Sequence, residues 1–231
     1  AQPVVLLPKP PTTPAERYRR IKLFVILGIL ILLAFLVTVL RSFVRKSVSA
    51  FANENMMNQL YREQEGRGAL PFWLLYLLFF VNAGVFIFFL MQHYEVAWMA
   101  DRPLTLLSLC IGALTAFFLL KHLLLAFLAY VFPIEKEISR YTFTMLISGI
   151  VIGLLLVPAN IFLAYADPKL IPHIIQVTLG AIALVYGIRY LRGLLIANRL
   201  LLFHKFHFLL YICTVEIAPV LFLLKLALNY L

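Results

Sequence analysis

Acidic residues are scarce in this chain. Among its 231 residues, 10 Asp and Glu stand against 20 Lys and Arg, which gives a formal net charge of +10. In a soluble protein this imbalance could indicate nucleic-acid binding. Here the basic residues cluster beside long apolar runs, where they fit the orientation rule for membrane proteins and the attraction of anionic headgroups. The charge pattern therefore argues against nucleic acid as a partner and favours the lipid bilayer.

Cysteine is almost absent, and the usual signatures of a metal site are missing. Cys110 and Cys213 both lie inside apolar runs, and the sequence has no CxxC or HExxH motif. His204 and His207 are spaced so that a helix would place them on one face, but no third ligand is evident. We therefore expect no metal, no cofactor and no enzymatic activity. A membrane enzyme acting on a lipid or a haem-like molecule is the weaker alternative, because the sequence offers no evident nucleophile and base.

Long polar stretches are also few, because 64% of the residues are hydrophobic. About 20 helical residues cross roughly 30 Å of hydrocarbon, so an apolar run of that length indicates a membrane span. The sequence predicts an all-α fold, a polytopic transmembrane helical bundle of about six spans with interfacial helices. Residues 1–20 are proline-rich and predict an extended N-terminal tail, and residues 21–231 predict a single transmembrane helical domain. The expected spans are residues 22–42, 69–91, 104–121, 141–164, 170–191 and 206–228.

The structure of three segments is harder to predict from the hydrophobic pattern. Residues 44–68 are polar but include a stretch that could form a surface helix with Phe51, Met56, Met57 and Leu60 on the membrane. Residues 104–132 predict either a span ending near Lys121 with a surface segment after it, or one long tilted helix. Residues 192–205 place basic side chains among leucines, which is typical of an interfacial elbow.

The distribution of Lys and Arg predicts the orientation. The connections after the first, third and fifth spans hold most of these residues, whereas those after the second and fourth hold only Arg102 and Lys169. Positive connections stay in the cytoplasm, so we expect both termini on the non-cytoplasmic side of the membrane. The basic flank before the first span conflicts with this orientation, and a cleaved signal peptide would resolve the conflict.

Small and polar residues form stripes along four of the spans. Helices in lipid pack through such residues, because no hydrophobic force drives them together. We expect Gly149 and Gly153 in the fourth span, and Gly180 and Gly187 in the fifth, to be helix-packing positions. The simplest interpretation of the stripes is helix contact, and the alternative is a shared polar interior that passes a substrate or protons.

Glu216 stands out because it lies in the middle of the last apolar run, three residues before Pro219. An ionised carboxylate at that depth is costly unless it is paired, protonated or beside water. Pro219 has no N–H, so the helix can bend there and admit a partner. Arg189 is the most attractive partner, and we group it with Glu216, Pro219, His207 and Tyr211 as a candidate intramembrane polar site.

The C-terminal third resembles a known family. The segments YGIRYLRGLL and FHKFHFLLYICTVEIAPVLFLLKL are similar to the end of a Bacteroidota family of integral membrane proteins, domain of unknown function 4271. The likeness extends over about residues 70–231 and includes the Glu-Ile and Pro at Glu216, Ile217 and Pro219. The resemblance implies a multi-pass protein of the bacterial inner membrane, and with the predicted orientation both termini would then lie in the periplasm. It supplies no reaction and no catalytic residues.

These observations favour a non-enzymatic membrane subunit or scaffold of an envelope complex, with other integral membrane proteins as partners. Short connections leave no room for a soluble catalytic domain, and the polar stripes suit helix docking. The alternative is a small proton-coupled transporter that uses Glu216 near the middle of the bilayer. The sequence shows no internal inverted repeat, which weighs against the transporter.

Overall fold

The computed structural model describes residues 14–94, 102–131 and 135–200, and the regular structure in these ranges is entirely helical. Residues 1–13, 95–101, 132–134 and 201–231 lie outside the description. The all-α prediction is therefore confirmed. The described helices are α1 (Pro14–Val39), α2 (Arg41–Ala52), α3 (Glu54–Arg67), α4 (Leu70–His93), α5 (Pro103–Val131), α6 (Glu135–Tyr165) and α7 (Ile171–Leu200).

Five of these helices are long and apolar enough to cross a membrane. They agree with the first five predicted spans to within a few residues, except at the C-terminal end of the third. The predicted sixth span, residues 206–228, lies outside the described residues. The five candidate spans are Arg19–Val39, Leu70–His93, Pro103–Val131, Ile138–Tyr165 and Ile171–Gly193.

Helices α4 and α6 form the centre of the bundle. About two thirds of the most apolar stretch of each is buried, against about a fifth in α1, α5 and α7. Gly149 packs against Tyr76, Gly153 against Phe79, and Asn160 bonds Asn82, so the contacts advance in the same direction along both helices. The two helices are therefore parallel, and the intervening α5 returns in the opposite direction.

A pair of buried asparagines ties α4 to α6. Asn82 and Asn160 are both 0% exposed. The Asn160 amide nitrogen donates to the Asn82 carbonyl oxygen at 2.9 Å and lies 3.2 Å from the Asn82 side-chain oxygen. The Asn82 amide donates in turn to the carbonyl of Leu78 at 2.9 Å. Such bonds add directional strength to a contact that apolar side chains alone make weakly in lipid.

Helix α5 corrects the preferred prediction for the third span. It continues unbroken from Pro103 to Val131, which corresponds to the long-helix alternative, about 43 Å at 1.5 Å per residue. No Pro or Gly interrupts residues 113–131, so nothing in the local sequence ends the helix at Lys121. Lys121 itself is only 8% exposed, although the sequence placed it at the interface.

The polar connection at 44–68 folds as two helices that pack into the protein. Asn53 separates α2 from α3, and its side-chain oxygen accepts a hydrogen bond from the backbone N–H of Asn55 at 2.9 Å. Met57 and Leu60 are 7% and 2% exposed and belong to the main hydrophobic core. The prediction that this apolar face lies on the membrane is therefore wrong, because α6 and its neighbours provide an apolar surface that covers it.

The two ends of the described chain also differ from prediction. α1 begins at Pro14, so residues 14–20 are helical where an extended tail was predicted; proline suits the first turn of a helix because its missing N–H would have no helical partner there. α7 continues to Leu200, so the predicted elbow at 192–205 is a continuous helix over residues 192–200. Both differences lengthen a membrane helix beyond its apolar run.

Candidate functional site

A cluster of ionisable and aromatic side chains lies inside the bundle, near one end. The N-terminal parts of α4 and α6 and the C-terminal parts of α5 and α7 all lie at the end reached by α2 and α3, because consecutive spans alternate in direction. Most of the predicted cytoplasmic Lys and Arg residues belong to this same end. We call this group the tyrosine–arginine cluster; its members are Tyr76, Lys121, His122, Tyr141, Tyr186 and Arg189.

Arg189 is the centre of the cluster. It is 3% exposed, and one guanidinium nitrogen donates a hydrogen bond to the hydroxyl of Tyr141 at 3.2 Å. The guanidinium carbon lies 5.2 Å from the ring centre of Tyr186 and 5.8 Å from that of Tyr141. Both distances are within the range of cation–π attraction, which strengthens where water is excluded. The two tyrosines therefore stabilise a buried positive charge.

Tyr76 brings α4 into the cluster. It is 0% exposed, and it interacts electrostatically with Tyr186 and Arg189. Its ring stacks on Phe79 at 5.4 Å and contacts Phe80 edge-on at 4.7 Å. Among the described residues its hydroxyl oxygen has no hydrogen-bond partner. The ring is thus held in place by aromatic packing, while its polar tip is buried without a partner.

His122 adds a second buried polar group with the same property. Its ring lies 5.9 Å from that of Tyr76 and 5.2 Å from that of Trp73. Both ring nitrogens are buried, and neither has a hydrogen-bond partner in the described part of the chain. His122 also interacts electrostatically with Lys121 and Arg189. The cations Lys121 and Arg189 therefore share one region of the bundle interior with two polar side chains, Tyr76 and His122, that lack hydrogen-bond partners among the described residues.

Arg192 is next to the cluster but has a different role. Its guanidinium donates hydrogen bonds to the backbone carbonyls of Ala50 and Phe51, at 3.2 Å and 2.5 Å, and lies 5.6 Å from the Phe51 ring centre. These carbonyls are at the C-terminal end of α2, where free carbonyls carry partial negative charge. Arg192 therefore fastens the α2–α3 helix pair to α7.

The predicted packing glycines divide into two groups. A Cβ added at Gly149 would overlap the Tyr76 ring, and one added at Gly153 would lie 2.8 Å from the backbone of Phe79. At Gly180 and Gly187, by contrast, an added Cβ would have no atom of the described residues within 4 Å. The fourth-span glycines thus lie in the α4–α6 contact, whereas those of the fifth span face outward from the described helices.

The structure describes only one residue, Arg189, of the candidate polar site predicted from the sequence. Arg189 is buried at the centre of the cluster, and Glu216, Pro219, His207 and Tyr211 lie outside the described residues. Nothing in the sequence connected His122 with Tyr76 or Tyr141. Tyrosines near span ends resemble the aromatic belt at a membrane interface, so their inward orientation had no sequence signal.

Metal chemistry has no evident basis among residues 14–94, 102–131 and 135–200. No group of three or more His, Cys, Asp or Glu side chains in these ranges is arranged to hold a metal ion. Cys110 is a buried free thiol 3.7 Å from the sulfur of Met91, which is ordinary packing between α5 and α4.

The helices and the buried cluster define a multi-pass membrane protein. Residues 23–227 match the family described as Domain of unknown function (DUF4271), and the chain belongs to this family. The match includes the first candidate span from residue 23 onward, the other four candidate spans in full, and most of the last apolar run. No curated protein and no solved structure matches the chain.

Proposed function

We propose that this protein is a non-enzymatic subunit of a complex in the bacterial inner membrane, and that the α2–α3 helix pair carries its docking surface. In the described ranges this pair is the main folded part outside the candidate spans. It is too small to contain a catalytic domain, yet it is firmly attached to the bundle. The observation that supports this role is the pair of hydrogen bonds from Arg192 to the backbone carbonyls at the end of α2.

Two further contacts make the pair rigid. The Tyr61 hydroxyl donates to the Ser139 hydroxyl at 3.0 Å, which joins α3 to the start of α6. Lys46 and Glu63 form an ion pair between α2 and α3. A surface that is held in one geometry loses little conformational entropy when a partner binds. We therefore expect a preformed docking site.

The outer face of α3 is polar and open. Its side chains suit hydrogen bonding with the cytoplasmic segment of another integral membrane protein, because amide groups both donate and accept. The charge is mixed, which favours a protein over a purely anionic lipid surface. The residues that line this face are Asn55, Asn58, Gln59, Arg62 and Glu63.

A photo-crosslinking amino acid at Asn58 tests the proposal in native membranes. We expect one discrete adduct that contains a second integral membrane protein. The matched control carries the same group at Leu124, which is 41% exposed on α5 and should give no such adduct. Arg192→Gln should reduce the Asn58 adduct several-fold while the protein stays folded, because the helix pair loses its anchor. Absence of an adduct at Asn55, Asn58 and Gln59, together with purification as a lone monomer in several mild detergents, would refute the docking role.

The second candidate function is a small proton-coupled transporter in which Glu216 binds and releases the proton. The tyrosine–arginine cluster favours it, because ionisable side chains buried in a membrane are costly and are usually retained for function. In liposomes with a pH-sensitive dye inside, Glu216→Gln should abolish the proton uptake that a membrane potential drives. Equal uptake by the wild-type and variant proteins would eliminate this role.

A further inference from the structure

Two side chains of the tyrosine–arginine cluster, Tyr76 and His122, carry three buried polar atoms without a hydrogen-bond partner among the described residues. These atoms are the hydroxyl oxygen of Tyr76 and the two ring nitrogens of His122. Groups of this kind are rare in folded proteins, because burying them without a partner is unfavourable. Three such atoms in adjacent side chains point to a binding site.

The hydrogen-bond donors and the positive charge at the site indicate the kind of ligand that it would bind. The Tyr76 hydroxyl and one N–H of His122 can donate. Arg189 brings positive charge close to both side chains, and Lys121 brings it close to His122. The five candidate spans contain no Asp or Glu in their sequences. A negatively charged oxygen acceptor complements this environment, and a carboxylate is the smallest such group that amino-acid side chains provide.

The position of the chain after α7 indicates where the carboxylate comes from. α7 reaches Leu200 at the end of the bundle that holds the cluster, and the last apolar run begins a few residues later. In the sixth span predicted from the sequence, residues 206–228, Glu216 is ten residues from the start, which corresponds to about 15 Å along a helix. His122 is about 14 Å along α5 from its end at Val131, a similar distance from the end of its helix.

We propose that Tyr76, His122 and Arg189 form a carboxylate site inside the membrane, and that this site binds Glu216 of the same chain. The inference is independent of the docking role of α2 and α3. It gives Glu216 the counter-charge and hydrogen bonds that an intramembrane acid requires. Two other sources of the same chemistry exist: Glu137, which is one turn before Tyr141 on α6, and the phosphate of a lipid headgroup.

A double-mutant cycle in one fixed mixture of detergent and lipid tests the pairing. Arg189→Gln and Glu216→Gln should each lower the Tm by about 5 °C or more. The Tm of the double variant should be no lower than that of the less stable single variant, because the second change removes a group whose partner is already absent. Additive losses would overturn the proposal.

Additional variants distinguish Glu216 from Glu137 and from a lipid phosphate as the bound group. They also keep the test informative if Arg189→Gln fails to fold. Tyr76→Phe removes one oxygen only, and it should also be non-additive with Glu216→Gln. Arg192→Gln is the matched control and should be additive with Glu216→Gln, because Arg192 binds the carbonyls of α2. Coupling of Arg189 with Glu137→Gln instead of Glu216→Gln would overturn the proposal. So would a Tm that depends on added anionic lipid in the wild-type and Glu216→Gln proteins but not in Arg189→Gln.

Discussion

Gly153→Ala is expected to destabilise the protein by about 2–3 kcal/mol, although it adds a single methyl group. The new Cβ would lie 2.8 Å from the backbone nitrogen and Cα of Phe79. Backbone atoms in a helix cannot rotate away as a side chain does, so α4 and α6 have to separate, and overpacking of this kind typically costs 1–3 kcal/mol. Thermal unfolding in detergent measures the loss.

Gly180→Ala is the matched control for this prediction. The chemical change is identical and the residue is also in a membrane helix, but an added Cβ there has no described atom within 4 Å. We expect an unchanged or slightly higher Tm, because alanine favours the helix over glycine. If Gly153→Ala unfolds at the wild-type temperature, the close approach of α4 and α6 at this position is wrong.

Tyr76→Ala should give a still larger loss, about 3–5 kcal/mol. The ring is 0% exposed, occupies the space left by Gly149 and contacts a group of aromatic side chains, and truncation of such a residue leaves a cavity that the core fills only in part. In lipid the loss is mainly one of dispersion contacts, since the alternative environment is also apolar. Thermal unfolding of the purified protein measures it.

Tyr165→Ala makes the same substitution at a residue that is 59% exposed near the end of α6. We expect less than 1 kcal/mol of destabilisation there, because the side chain has few neighbours to lose. Equal losses at the two positions would show that the stability of the bundle does not depend on the aromatic packing around Tyr76.

Much of this architecture follows from the length of the apolar runs. Four of the five described spans begin and end within a few residues of the prediction, because hydrocarbon thickness fixes how many residues a crossing helix needs. One side of the α4–α6 contact was predictable, since Gly149 and Gly153 of the fourth span were expected to be helix-packing positions. The face of α4 that contacts these glycines could not be predicted, because Tyr76 and Phe79 resemble any other apolar position in the sequence.

The wrong predictions concern residues whose environment is determined by contacts between helices. Composition cannot tell whether the apolar face of an amphipathic helix covers lipid or another helix, so Met57 and Leu60 were placed on the membrane, although they are buried in the protein. Lys121 was treated as a boundary because a lysine in lipid is costly. In the bundle its side chain is only 8% exposed, and α5 continues past it to Val131.

The candidate site was predictable only in part for the same reason. Arg189 could be selected, because a basic residue inside an apolar run is conspicuous. The three tyrosines and His122 come from four different helices, and only the folded arrangement brings them together. Glu216, which prompted the search for a partner, lies outside the described residues, and its pairing stays a prediction.

A cryo-electron microscopy structure of the protein in lipid nanodiscs, with a bound antibody fragment to aid alignment, tests the central claim most directly. We predict that the Glu216 carboxylate lies within hydrogen-bond distance of the Arg189 guanidinium and of the Tyr76 hydroxyl or the His122 ring. A Glu216 side chain that points into the lipid, with an acyl chain, another residue or a headgroup phosphate at the cluster, would contradict it.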